Sequence, residues 1–311
     1  MRIAGIDLGG TEIKAGLVNE SGILKKVSTS TEVEKGSEKI VENIVKTIKM
    51  LGEKVEAIGI GSPGSIDRKN GIVRYSPNFP QWHDFELGKK VYELTGKKVF
   101  IENDANAFTL GEWYYGNAKG CNDFICLTFG TGVGSGVVIN KKMLFGKDGI
   151  GAELGHIIVS SDGPMCGCGN RGCLESYASA KSVARMAKEL VLKHNNSSLL
   201  NRVKDINEIE SKHVFEEAKN GDFISKYVVE KITDLIAKAI SGYIHIFNPE
   251  KIILGGGMSK AGNELLNPII EKTDMYVMKS FKNTYKIELS NLVEDAGILG
   301  AASCAIYGME E

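Results

Sequence analysis

One histidine and three cysteines stand close enough in this chain to hold a metal ion. His156 is followed by Cys166, Cys168 and Cys173, and the C-x-C-x4-C spacing offers three thiolates and an imidazole, the tetrahedral set preferred by structural zinc. Gly151, Gly155, Gly163, Gly167, Gly169 and Gly172 share the stretch, as suits a backbone that turns sharply around an ion. No helix or strand period runs from Ser160 to Gly172, so a metal is expected to replace a local core there. A disulfide pair or ordinary reduced cysteines are the competing readings. Glu153 and Glu175 flank the loop and are not needed as ligands. They are available to accept hydrogen bonds from substrate hydroxyls, with the metal loop fixing their direction.

A second set of residues suits phosphate. Asp7 ends an apolar run and Gly9-Gly10-Thr11 turns into another, so backbone N–H groups can approach an anion while Asp7 holds hydrated magnesium. Lys14 follows on the second run. Taken alone, this is also a plain glycine hairpin with a capping Asp. The pattern recurs where 123–129 and 132–139 flank Gly130-Thr131-Gly132-Val133-Gly134. These glycines match neither a dinucleotide fingerprint nor a Walker A loop. What remains is a pair of glycine hairpins, one from each half, facing each other across a cleft and gripping one nucleotide. Gly255, Gly256 and Gly257, at a strand end, allow close approach of an adenine-ribose group. Asp104 follows the strand 98–102 at a helix start, where open α/β sheets place ligands. It is the candidate general base, although Asn103 or Asp104 is equally a helix cap.

The elements that must position these groups follow from periodicity. The first half reads as a three-strand meander (2–8, 12–18, 23–30), a helix at 37–51 and a buried strand at 55–61. Next come a loop at 62–65, a small hairpin around 68–71, an exposed loop at 76–80 carrying Asn78, and a helix at 86–95. Strand 98–102 leads to a helix at 105–115, and 116–121 crosses to a second domain. There helices are expected at 174–194, 207–219 and 222–247, with a surface turn at 195–198 and strands at 251–254 and 286–290. A terminal helix at 298–307 is expected to pack back on the first domain. The expected domains are 1–117 plus 297–311, and 118–296.

With 311 residues there is length for two domains with their own cores. Apolar residues make up 42%, charged residues 25%, and 38 Lys and Arg balance 39 Asp and Glu. No basic block points to nucleic acid or a membrane surface, and no apolar run approaches a membrane span. The opening residues enter a strand pattern rather than a signal sequence, so a cytoplasmic protein is expected. Cys121, Cys126 and Cys304 read as buried reduced thiols.

Through Gly5-Ile6-Asp7-Leu8-Gly9-Gly10-Thr11, Glu102-Asn103-Asp104-Ala105-Asn106-Ala107, Gly130-Thr131-Gly132-Val133-Gly134, Glu153-Leu154-Gly155-His156 and the run from Cys166 to Glu175, nearly the whole chain resembles the ROK sugar kinases. The resemblance implies a two-domain α/β fold of the actin, hexokinase and Hsp70 ATPase type (ribonuclease H-like), with an inter-domain cleft and a zinc-binding loop. It implies ATP-dependent phosphorylation of a sugar, with Asp104 accepting the hydroxyl proton, Asp7 organising Mg2+, and the Gly10-Thr11 and Thr131-Gly132 turns holding phosphates. Gly64, Asn78, Asn103, Asp104, Glu153, His156 and Glu175 would hold the sugar, His156 also ligating structural Zn2+. Glucose is the first expectation, with N-acetylmannosamine, mannose, fructose or allose as alternatives and polyphosphate as another donor. The mapped positions carry no Arg or Lys for an anionic sugar. A homodimer or higher homo-oligomer is expected. A sugar-sensing repressor of the same family would carry a DNA-binding extension before the first turn, for which the six residues ahead of Asp7 leave no room. A nucleotide-driven chaperone or filament protein would not need the acids and metal loop.

Overall fold

A computed structural model describes residues 1–52, 54–194 and 196–311. The chain divides into two compact units, the first made of Met1–Gly120, Leu144–Ala152 and Asn291–Glu311, the second of Cys121–Met143 and Glu153–Ser290.

The first unit is built on β1 (Ile3–Leu8), β2 (Glu12–Asn19), β3 (Gly22–Ser30), α1 (Ser37–Leu51) and β4 (Ala57–Ser62). A small sheet of β5 (Ser65–Asp67), β6 (Ile72–Tyr75) and β7 (His83–Phe85) follows, then α2 (Leu87–Thr95), β8 (Lys98–Asn103) and α3 (Asp104–Tyr114). The main sheet runs β3-β2-β1-β4-β8, antiparallel across the meander and parallel from β1 onward. Side chains alternate across β1: Ala4, Ile6 and Leu8 join a core with Ile40, Ile44 and Ile48 of α1, whereas Ile3 packs with Ile298, Ala302 and Ala305 of the terminal helix, Ala296–Glu310. That helix is rich in small residues because it lies almost on the strand backbones. A Cβ on Gly59 would fall 1.8 Å from the Ala301 carbonyl oxygen.

The second unit repeats the plan. Its strands β9 (Phe124–Phe129), β10 (Val133–Ile139) and β11 (Lys142–Met143) precede α4 (Glu175–Ala178), α5 (Ala180–Val191), α6 (Ser211–Asn220) and α7 (Phe223–Phe247). Then come β12 (Lys251–Gly255), α8 (Asn263–Tyr276) and β13 (Lys286–Leu289). The sheet order β11-β10-β9-β12-β13 has the same sequence of antiparallel and parallel pairings as the first. The echo between the two glycine hairpins is thus an echo of whole sheets.

Several expectations need correction. The helix expected over 174–194 is two helices, broken at Ser179, whose backbone is extended and whose Oγ accepts from the Ser182 N–H. The loop at 76–80 is not simply exposed: Ser76, Phe79 and nearby Trp82 are fully buried, with Trp82 stacked on Phe85 at 4.6 Å between centroids. The short strands β7 and β11 carry too few residues to show a period. Of the turn expected at 195–198, Asn195 lies outside the described residues and Ser198 begins a 3-10 turn. Residues 144–152 pack with the first unit rather than with their sequence neighbours.

Candidate active site

In the first unit the groups converge on the carboxyl ends of β1, β4 and β8. Gly9 donates its N–H to the Glu12 carbonyl at 3.0 Å, and Thr31 Oγ1 donates to the Gly9 carbonyl at 2.7 Å, so the turn is held from both sides. Asn78 lies beside it: a Cβ on Gly10 would be 3.5 Å from the Asn78 side chain. Asp7 sits opposite Lys14 in the strand register, and its carboxylate abuts the start of the terminal helix, where a Cβ on Gly297 would be 2.3 Å from Oδ2. Burial pushes the Asp7 carboxyl up, Lys14 opposing and Glu12 reinforcing the shift. Exposed Lys14 also lies 3.9 Å from Glu12.

Asn103 is the helix cap. Its Oδ1 accepts from the N–H of Ala105 at 2.9 Å and of Asn106 at 3.4 Å, and its Nδ2 donates to the Gly64 carbonyl at 3.0 Å. Gly64 adopts φ +112°, with the Tyr75 carbonyl 2.1 Å from where a Cβ would stand. Asp104 is therefore the first residue of α3 rather than its cap. It retains solvent-accessible surface while protein crowds most sides of its carboxyl. That burial pushes its pKa up to about 6, against the Ala105 N–H and with help from the nearby Asp7 charge. A carboxyl so raised, yet open to solvent, suits a general base near neutral pH.

In the second unit the metal loop and the second glycine turn form one assembly. Ligand atoms of His156, Cys166, Cys168 and Cys173 all lie within 4.8 Å of one another. Cys168 and Cys173 sulfurs are 3.6 Å apart, as are Cys166 Sγ and His156 Nδ1. A zinc tetrahedron with bonds of about 2.3 Å to sulfur has sulfur–sulfur edges near ~3.8 Å, so the cluster fits the ion. All six cysteines are free, which removes the disulfide reading. At Gly172, φ is +71° and a Cβ would lie 1.6 Å from the Ser160 carbonyl, so only glycine closes the loop.

Glu175 joins this loop to the turn. Its Oε2 accepts the Val133 N–H at 2.9 Å and its Oε1 lies 3.5 Å from Cys166 Sγ. The Ala180 N–H, at the start of α5, donates to the Gly130 carbonyl at 2.8 Å, so the helix break at Ser179 serves to anchor the Thr131-Gly132 turn. The Leu154 N–H donates to Ser135 Oγ at 2.9 Å, and Tyr243 donates to the Leu154 carbonyl at 2.6 Å. Accessible Glu153 is pushed up chiefly by burial, with His156 lowering it and Glu175 raising it, which places all three within electrostatic reach. Sequence reasoning passed over Ser135 and Tyr243, which occupy ordinary strand and helix patterns.

At the end of β12, Gly256 has φ +82°, and a Cβ there would meet Phe129 backbone atoms at 2.5 Å. Gly255 precedes it in the strand, and Gly257 opens on a cavity of about 290 Å³ shared with Met258 and with Ser211, Lys212, Phe215 and Glu216 of α6. The glycines signalled this place; the α6 side chains, more than forty residues earlier, did not.

Known proteins resemble this chain along nearly its whole length. The ROK family model matches residues 3–307. The chain is 50% identical over 306 residues to the glucokinase of Thermotoga maritima, covering 97% of this chain and 96% of that protein. Among solved structures it is similar to a ROK family glucokinase from Streptomyces griseus in complex with glucose and AMPPNP, with 35% identity, TM-score 0.83, and 97% and 98% of the two chains covered. A ROK hexokinase from Thermus thermophilus aligns with 31% identity and TM-score 0.85 over 100% of this chain and 99% of that one.

Proposed function

Because this chain belongs to the ROK family, with the mixed α/β fold of the actin-like ATPases, we propose that it is an ATP-dependent hexokinase-type phosphotransferase acting on glucose. The observation that carries the reading is Asp104, at the first position of α3 with its carboxyl raised to about 6 and still accessible. At pH 7 such a group is roughly nine-tenths ionised and can take a proton.

In this reading Asp104 accepts the proton of the sugar 6-hydroxyl as that oxygen bonds to the γ-phosphorus and the bond to the bridging oxygen breaks, releasing ADP. Asn103 and Asn78 offer amides to the sugar, Gly64 admits it closely, and Glu153, His156 Nε2 and Glu175 accept from or donate to its hydroxyls. These neutral and acidic groups suit a polyol without a charge of its own. The N–H groups around Gly9, Gly10, Thr11, Thr131 and Gly132 receive phosphate oxygens, and Lys14 adds a positive charge. The cavity beside Gly255, Gly256 and Gly257 takes the adenosine end. Phosphoryl transfer asks mainly for alignment and charge neutralisation, which this set supplies. Mg2+ held by Asp7 would neutralise phosphate charge, a role that a carboxylate oxygen suits. Zn2+ held by His156 Nδ1, Cys166, Cys168 and Cys173 would fix the loop that aims Glu153 and Glu175.

The proposal includes two domains that close on the substrates, and a homodimer, for which exposed Ile246, Met275 and Met278 offer apolar surface. It also includes a cytoplasmic location; no helix among the described residues is long and apolar enough to cross a membrane. The test is mass spectrometry of products from Mg-ATP and a panel of neutral hexoses and N-acetylhexosamines. A hexose phosphate formed by the native protein and not by Asp104→Asn supports the reading. Absence of any sugar phosphate overturns it in favour of sensing or nucleotide switching.

A further inference from the structure

Behind Asp104 lies a buried ion pair that none of these roles uses. Glu102, on β8, is 4% exposed. Its Oε1 accepts the Asn103 N–H at 3.0 Å and Asn106 Nδ2 at 3.1 Å, and its Oε2 accepts Arg68 Nε at 3.0 Å. Arg68 also pairs with the Glu311 side chain, and its guanidinium lies 4.1 Å from the Phe145 ring centroid and 5.6 Å from that of Tyr307. The pair is thus enclosed by the β5–β6 hairpin, the 144–152 segment and the terminal helix, all parts of the first unit.

The two residues that Glu102 holds flank Asp104. Asn103 caps α3 through its Oδ1, and Asn106 donates one of those capping bonds from its N–H while its side-chain amide donates to Glu102. Asp104 sits inside this closed circuit, its Oδ1 on the Ala105 N–H at 2.9 Å. Burial pushes the Glu102 carboxyl up, and Asn106, Asn103 and Arg68 pull against that shift. Arg68 is a cation with a rigid fork, able to hold one carboxylate edge while leaving the other for the circuit.

We propose that Glu102 and Arg68 are a positioning pair for phosphoryl transfer, holding the strand-to-helix junction so that the Asp104 carboxylate stays aimed at the reacting hydroxyl. Neither touches substrate; they act through Asn103 and Asn106. The inference rests on Asp104 being the base.

Misplacing a reacting group by about 1 Å can cost on the order of 100-fold in rate. Glu102→Gln keeps the volume but has one acceptor oxygen for three donors, and is expected to lower kcat roughly 10- to 100-fold, with KM for glucose and ATP little changed. Arg68→Met should act alike, Arg68→Lys should recover part of the loss, and the double variant should cost no more than the worse single one, because the residues act as a unit. Thermal unfolding and ATP binding of each variant separate positioning from folding, and Arg68→Lys serves if the others do not fold. Native kcat in the variants, losses confined to KM, or losses that multiply in the double variant would overturn the pair. The native protein and Asp104→Asn are run in parallel. No product from the native protein, or an active Asp104→Asn, removes the base and the pair with it; normal controls with unimpaired Glu102 and Arg68 variants remove the pair alone.

Discussion

The raised carboxyl of Asp104 makes a quantitative demand on the pH profile. With the pKa pushed up to about 6, the base is protonated as pH falls, so kcat/KM should drop through a midpoint near 6. At pH 5 roughly a tenth of the molecules keep an ionised base, and the rate should be about a tenth of its plateau. Replacing Asp104 by Asn should lower the plateau by about 10²- to 10⁴-fold, the usual contribution of a general base, and abolish this limb. Part of the shift comes from the neighbouring Asp7 charge, so Asp7→Asn should move the Asp104 titration to lower pH in the ligand-free protein, followed by carboxyl carbon-13 NMR. The stability sign follows. The folded pKa exceeds the unfolded one, so the ionised carboxyl destabilises the fold at neutral pH. Asp104→Asn should therefore raise Tm at pH 7, and the gain should fade as pH drops below 4, where the carboxyl is protonated in both states. An acid limb near 4, or one that persists in Asp104→Asn, would refute the assignment; an inactive variant with a lowered Tm would point to damage rather than a lost base.

Two further perturbations address the second unit. Cys168→Ser should release zinc, measured by metal analysis of the pure protein, and raise KM for glucose by loosening the loop that carries Glu153, His156 and Glu175. Loss of zinc with unchanged KM would separate the cluster from sugar recognition. Gly256→Ala places a side chain where φ is +82° and the Phe129 backbone is 2.5 Å away. It should cost at least about 1–3 kcal/mol in urea unfolding and weaken ATP more than glucose; a neutral effect would mean that the β12 end is not constrained.

Much of the site was legible because its signals are local. The glycine hairpins, the strand-to-helix step at Asn103 and Asp104, and the His156, Cys166, Cys168 and Cys173 cluster each lie within one short stretch of chain, where turn geometry and ligand chemistry are written directly in residue type and spacing. The resemblance added Gly64 as a candidate sugar contact and favoured Asn78 as another, for which no local rule decides. The break at Ser179 was hidden because the 174–194 stretch keeps a helical apolar period through it, while the cause is a hydrogen bond from Ala180 to Gly130, fifty residues away.

By itself the sequence determined which backbone segments turn, which strands bury both faces, and that a nitrogen and three sulfurs could close on one ion. Only the tertiary structure decided that Glu175 spans from the cysteine loop to the Thr131-Gly132 turn, that α6 lines the cavity beside Gly257, and that Arg68 and Glu102, distant in sequence, share a contact beside Asp104. The physical reason is that a buried carboxylate must find its partner wherever packing brings one, and such pairing leaves no period or spacing in the chain.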